Sequence, residues 1–227
     1  MGGPLVSVVM PVYQGERYLA EALDSALAQG YEPLEIIVVD DGSTDAIAAI
    51  ARARPVRYVR LEHQGLARAR NAGIKAARGE IVAFLDADDV WLPGGLEARV
   101  SHLLGDPGLG YVLSRMEVFF EPRTERPSWI RQRVLSAPQH GFFQTFVGHR
   151  GVFDEVGLFD PAFEPSDDID WFARAKDAGV ASFELPQVCA RYRVHDESLT
   201  SRQSVMPTLL RALKSSIDRR RDPAGPA

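Results

Sequence analysis

Residues 35–39, EIIVV, and 80–85, EIVAFL, are apolar without alternation, which is the pattern of strands covered on both faces. Leu5–Met10 and Arg57–Leu61 supply two more strand-like runs, and a helical pattern follows each of the first three. Glu16–Gln29 carries Leu19, Ala22, Leu23, Ala26 and Leu27 on one stripe and is closed by Gly30. A second helix, capped by Ser43 or Thr44, is expected to run to Ala53, and a third from Leu66 to Arg78. This order predicts an α/β fold whose doubly wound, mostly parallel central sheet is flanked by helices and joined by right-handed crossovers. Ligands of such sheets bind beyond the carboxyl ends of the strands. Three polar features fall there: Tyr13, the stretch DDGSTD (40–45), and FLDADD, whose acids are Asp86, Asp88 and Asp89.

After about residue 105 the alternation loosens. Tyr111–Phe120 reads as a strand, EPRTERPSW as a loop, Gly151–Val156 as a short helix and Asp167–Ala178 as a helix with an acidic start. Ala181–Leu185 and Val188–Val194 read as two separate strands. The expected organisation is one domain, 1–205, made of a ligand-binding half (1–105) and a smaller strand-containing lobe (106–205), then a C-terminal helix and flexible tail (206–227). With 227 residues, 45% hydrophobic and 25% charged, one core of that kind can be filled. A net charge of -5 argues against nucleic-acid binding. The single Cys189 and 5 dispersed His exclude a disulfide framework and a zinc-type cluster, so a bound metal would be hard and oxygen-ligated. No apolar run reaches the roughly 20 residues of a membrane span, and no signal peptide opens the chain. The cytoplasm is the expected compartment, with at most peripheral membrane contact through Arg219–Arg221.

Three carboxylates as close as Asp86, Asp88 and Asp89 repel unless a cation, a base or water offsets them. An Asp-x-Asp at a strand end suits Mg²⁺ or Mn²⁺ shared with a diphosphate, although the same residues can make a solvated turn. Asp41 could offer a free carboxylate to a nucleobase edge, and Tyr13 a ring for stacking; both could equally be structural. The glycines form neither G-x-G-x-x-G nor a Walker loop, which disfavours dinucleotide and P-loop enzymes. In EPSDDIDWFARA, Asp167 and Asp168 stand at a helix N-terminus, which tends to keep a carboxylate ionised and suits a general base. Trp171 offers an apolar face of the kind that sugars stack on, and His195 is a candidate metal or phosphate contact.

Taken together, VSVVMPVYQGERYLAEALDSALAQGY, LEIIVVDDGSTD, QGLARARNAGIKAARGEIVAFLDADD, VGLFDPAF and SDDIDW resemble, in order, the family 2 glycosyltransferases of GT-A fold, over roughly residues 5–200. The resemblance implies an inverting transfer from a nucleotide-diphosphate sugar, commonly a UDP-sugar, with a divalent cation (Mn²⁺ or Mg²⁺). It implies that Pro11, Tyr13 and Asp41 line the nucleobase pocket, that Glu16 and Arg70 border the nucleotide, and that Asp86 and Ala87 lie at the ribose side. Asp88 would bind the metal, His195 would help hold it, and Asp168 would be the catalytic base. Asp89 would support the chain that follows. Gln14 replaces the family's usual Asn, and Asp167 its usual Glu, which leaves Asp167, Asp168 and Asp170 all in contention as base. Glycan, lipid-linked and small-molecule acceptors stay open, with Arg115–Gln144 and FVGHRG expected to shape their pocket. A nucleotide-sugar-binding relative without activity, a sugar nucleotidyltransferase and a scaffold domain are the competing readings.

Overall fold

The computed structural model describes residues 3–122, 124, 137–197 and 206–221. Strands β1 (Val6–Val12), β2 (Leu34–Asp40), β3 (Arg57–Arg60) and β4 (Ile81–Phe84) alternate with helices α1 (Glu16–Leu27), α2 (Ile47–Arg52) and α3 (Leu66–Ala76). After β5 (Val90–Trp91) come α4 (Gly95–Gly105), β6 (Tyr111–Phe120), β7 (Gln139–His140), β8 (Val147–His149), α5 (Val152–Val156), α6 (Asp167–Asp177), β9 (Ser182–Val194) and α7 (Met206–Arg221). One mixed sheet runs β3-β2-β1-β4-β8-β6-β9-β5, with β7 on β6. Its first four strands are parallel, β8 is antiparallel to both neighbours, and β6 and β9 are parallel again.

The two faces of β1 divide the core. Val6, Val8 and Met10 pack with Leu19 and Leu23 of α1, whereas Val9 faces Ile37, Phe84 and a cluster of aromatic rings. In that cluster Phe143, Phe146, Phe153 and Phe159 surround Trp171, which is fully buried. Trp171 is therefore a core residue, not the sugar-stacking face expected from the sequence; its indole N–H is satisfied by Gly157 O at 2.9 Å. Helix α3 can lie close to the sheet because Gly73 has no side chain: a Cβ there would sit 2.2 Å from Val9 Cγ1.

Two local expectations are corrected. Neither Ser43 nor Thr44 caps α2; the helix begins later, and Asp45 Oδ1 accepts from Ile47 N at 3.4 Å. The two strands predicted around Pro186 are one, β9, because β6 pairs with it along its whole length. The register slips between Ser114↔Leu185 and Arg115↔Val188, so the missing N–H of Pro186 falls in an irregularity rather than ending the strand.

Candidate active site

Pro11 helps to end the sheet where the acids begin. Leu85 N donates to Val9 O at 3.2 Å, and the next bond along that edge would need an N–H from residue 11. Proline has none, the ladder stops, and the chain from Asp86 onward turns away. On the other edge β1 continues, with Asp41 N donating to Val12 O at 2.9 Å. Pro11 is buried, Tyr13 is 49% exposed at the rim, and Gln14 between these strand exits has φ 51°, a left-handed conformation.

The DDGSTD stretch is fully engaged with the protein. Asp40 accepts from Ser43 N at 2.7 Å and from the Tyr58 hydroxyl; Ser43 Oγ accepts from Gln14 N at 3.0 Å. Asp45 and Glu16 cap reciprocally, Glu16 N to Asp45 Oδ2 at 2.9 Å and Ala46 N to Glu16 Oε2 at 2.8 Å. Asp41 is not the free carboxylate expected: it accepts from Gln64 N (2.9 Å) and Gly65 N (2.8 Å), and its Oδ2 lies 2.8 Å from His63 Nδ1. The His63 ring so held stacks on Tyr13, with centroids 4.0 Å apart and planes at 17°. One face of Tyr13 is thereby occupied by His63, and the pair forms a platform at the sheet's carboxyl edge.

The end of β9 fixes the second acidic stretch. Arg193 and His195 are two residues apart and turn to the same side. Arg193 Nε donates to Asp88 O (2.7 Å), its Nη1 pairs with Glu121 and its Nη2 with Glu21 (2.6 Å), while its backbone N donates to Asp89 Oδ1 (2.8 Å). His195 Nε2 lies 3.0 Å from Asp88 Oδ2 and its ring packs on Tyr18. Asp89 thus ties the loop to β9 rather than supporting a following helix; α4 starts only at Gly95. Burial pushes its carboxyl well up, reinforced by Asp88 and Asp86. The Ala87 side chain packs into the core below.

Arg70 joins this loop to α6. Its Nη1 is 2.9 Å from Asp167 Oδ2 and its Nη2 3.4 Å from Asp86 Oδ1, with its guanidinium over the Phe143 and Phe159 rings. Expected at the nucleotide border, Arg70 is instead buried between two carboxylates of the protein. Asp167 is fully buried in that pair, its shorter side chain still reaching the cation. Asp170 is buried against Arg174 at 2.8 Å and Arg219 at 3.6 Å. Of the three acids in contention, Asp168 alone is only partly buried. Burial pushes its carboxyl up to about 6, opposed by Arg70 and reinforced by Asp167 and Asp86. Desolvation therefore outweighs the helix N-terminus, which was expected to keep this acid ionised. Burial also raises Asp86, opposed by Arg70 and reinforced by Asp88.

Among the described residues no group of three or more His, Cys, Asp or Glu is arranged to hold a metal. Asp88 and His195 converge as two donors. An oxygen and an imidazole on one side fit a cation whose remaining ligands come from a phosphorylated substrate and water, not an all-protein cage.

Three contributors are not among the site residues expected from the sequence. His63 and Arg193 are named above; the third is Glu164, whose carboxylate accepts from Leu66 N (3.1 Å) and Ala67 N (3.3 Å) at the start of α3. Gly65 makes room for it: φ is +99°, and a Cβ there would stand 2.5 Å from Glu164 Oε2.

Known proteins resemble the chain as a whole. The model of the family described as "Glycosyl transferase family 2" matches residues 7–159. An uncharacterized glycosyltransferase of Rickettsia typhi is 34% identical over 215 residues, 87% of this chain and 66% of the relative. The Escherichia coli UDP-Glc:alpha-D-GlcNAc-diphosphoundecaprenol beta-1,3-glucosyltransferase WfgD is 26% identical over 210 residues, 87% of this chain and 80% of the relative. The crystal structure of S. aureus TarS 1-349 in complex with UDP-GlcNAc superposes with TM-score 0.71 at 20% identity, over 93% of this chain and 65% of that one. The chain thus spans about two thirds of the R. typhi and TarS chains.

Proposed function

We propose that this chain, which belongs to glycosyl transferase family 2 and is a glycosyltransferase of GT-A fold, moves a sugar from a nucleoside-diphosphate donor to an acceptor hydroxyl in one inverting displacement. The observation that carries the reading is Arg70, bound at once to Asp86 and to Asp167: it ties the proposed donor loop to the residue next to Asp168. Asp168 takes the proton of the acceptor hydroxyl as that oxygen attacks the anomeric carbon, and the bond to the diphosphate breaks on the opposite side. A carboxyl with its midpoint near 6 is ionised at neutral pH yet basic enough to accept the proton. A divalent cation held by Asp88, His195 and the donor's diphosphate would offset the charge that grows on the leaving group.

The nucleobase stacks on the face of Tyr13 opposite His63, and Asp41 acts there by fixing His63 and the 63–65 turn. Pro11 and Glu16 shape the same rim through the backbone, and Asp86 meets the ribose. The donor is a UDP-sugar and the acceptor a lipid-linked glycan, a reading supported by the activity printed for WfgD and the ligand printed for TarS. The test is a thermal-shift panel of nucleoside diphosphates and their sugars with and without Mn²⁺, followed by transfer assays on the hit. UDP with Mn²⁺ should stabilise the wild type and Asp168→Asn alike, and Asp88→Ala should lose the Mn²⁺-dependent part. Full turnover by Asp168→Asn would remove it as the base.

A further inference from the structure

Helix α7 packs on α6 through one face only. Ala212 and Ser216 are buried, Ser216 Oγ donates to Asp177 at 3.2 Å, and Arg219 and Arg220 pair with the same carboxylate at 3.1 and 2.7 Å. The opposite side carries Leu210, Leu213 and Ile217, at i, i+3 and i+7, which are 60%, 48% and 50% exposed. Three large apolar side chains in a row on solvent need an occupant. Beside the stripe, one helical turn beyond Leu210 and Ile217, stand exposed Lys214 and Arg221, with no ion-pair partner among the described residues. The helix dipole and Asp177 account for Arg219 and Arg220, but not for Lys214 in mid-helix or for the apolar stripe.

We propose that α7 is an in-plane membrane anchor, which lays Leu210, Leu213 and Ile217 into the surface of an anionic bilayer while Lys214 and Arg221 meet its headgroups. Charge complementarity selects this occupant. Of the five basic residues in 206–221, Arg219 and Arg220 are held by Asp177, while Lys214 and Arg221 stand beside the stripe against the helix's one acid, Asp218, in a chain of net charge -5, so the uncompensated positive charge lies where the apolar stripe is. A second copy docking by twofold symmetry would instead bring these like-charged helices together.

The experiment is flotation of the full chain with phosphatidylcholine vesicles and with vesicles containing about a third phosphatidylglycerol, at low and high salt. The chain should float with the anionic vesicles only, and release as salt rises. The exposed-face variant Leu210→Gln/Leu213→Gln/Ile217→Gln should bind at least about tenfold more weakly, and Lys214→Glu measurably less, both with wild-type melting temperature and UDP-dependent stabilisation. No flotation of the wild type, or equal flotation of the triple variant, overturns the proposal. So does a concentration-dependent dimer, seen by sedimentation velocity, that the triple variant loses. None of these readouts needs turnover, so failure of the anchor and failure of the proposed reaction are separable.

Discussion

At the scale of single residues, Asp168 carries opposite consequences for activity and stability. Its carboxyl rises from the ordinary 3.8 to about 6, so kcat/KM of the free enzyme should climb through an acid limb near pH 6. Asp168→Asn should remove that limb with about a 10²–10⁴-fold loss of kcat. Between pH 3.8 and about 6 the folded protein keeps a proton that the unfolded chain has released, so this group's contribution to stability falls as pH rises across that window. The Asn variant escapes that fall, and should be roughly 1–2 kcal/mol more stable than the wild type at pH 7. The advantage should vanish below pH 4; melts at both pH values check it. Gln14 makes a second case. A left-handed φ costs an ordinary side chain on the order of 1 kcal/mol, and Asn pays least among non-glycine residues. Gln14→Asn should therefore raise the urea midpoint by about 0.5 kcal/mol equivalent, provided its amide still reaches Thr44, the partner of Gln14 at 3.0 Å.

Between elements, the joint that matters is Arg193, a buried fork from β9 to α1, to the end of β6 and to the Asp88 carbonyl. Arg193→Gln leaves Asp88 O short of a donor and Glu121 with Arg17 alone. It should cost about 3 kcal/mol by denaturant titration, with a loss of Mn²⁺-dependent donor binding, because Asp88 is no longer held. This joint also marks the limit of what the chain discloses by reading along it. The parallel half of the sheet was legible because EIIVV and EIVAFL are unbroken apolar runs, and so was the place of Asp88 at a strand exit, because Asp-x-Asp follows one of them. Arg193 lies in RYRVHD, where nothing local distinguishes it from any strand arginine; its partners are Glu21, Asp88 and Glu121, remote in sequence. His63 and Glu164 were missed for the same reason, since each acts on a backbone or ring brought to it by the fold. β9 was divided at Pro186 because a local rule for proline could not include the pairing with β6.

For the molecule as a whole, Arg70 joins the loop after β4 to helix α6, and its charge sets the proposed base. It touches Asp86 after β4 and Asp167 of α6, and its cation lowers the Asp168 carboxyl against the burial that raises it. Removing that charge while keeping a polar side chain should therefore move the acid limb of kcat/KM above 6, so that Arg70→Gln loses more activity at pH 6.5 than at pH 8.5. Arg70→Lys keeps the charge but cannot bridge both carboxylates; its limb should stay near that of the wild type while its stability falls. A merely structural Arg70 would lower activity equally at both pH values in either variant. The pH profile of the two, measured beside their urea midpoints, separates the electrostatic role of the guanidinium from its role as the link between Asp86 and Asp167.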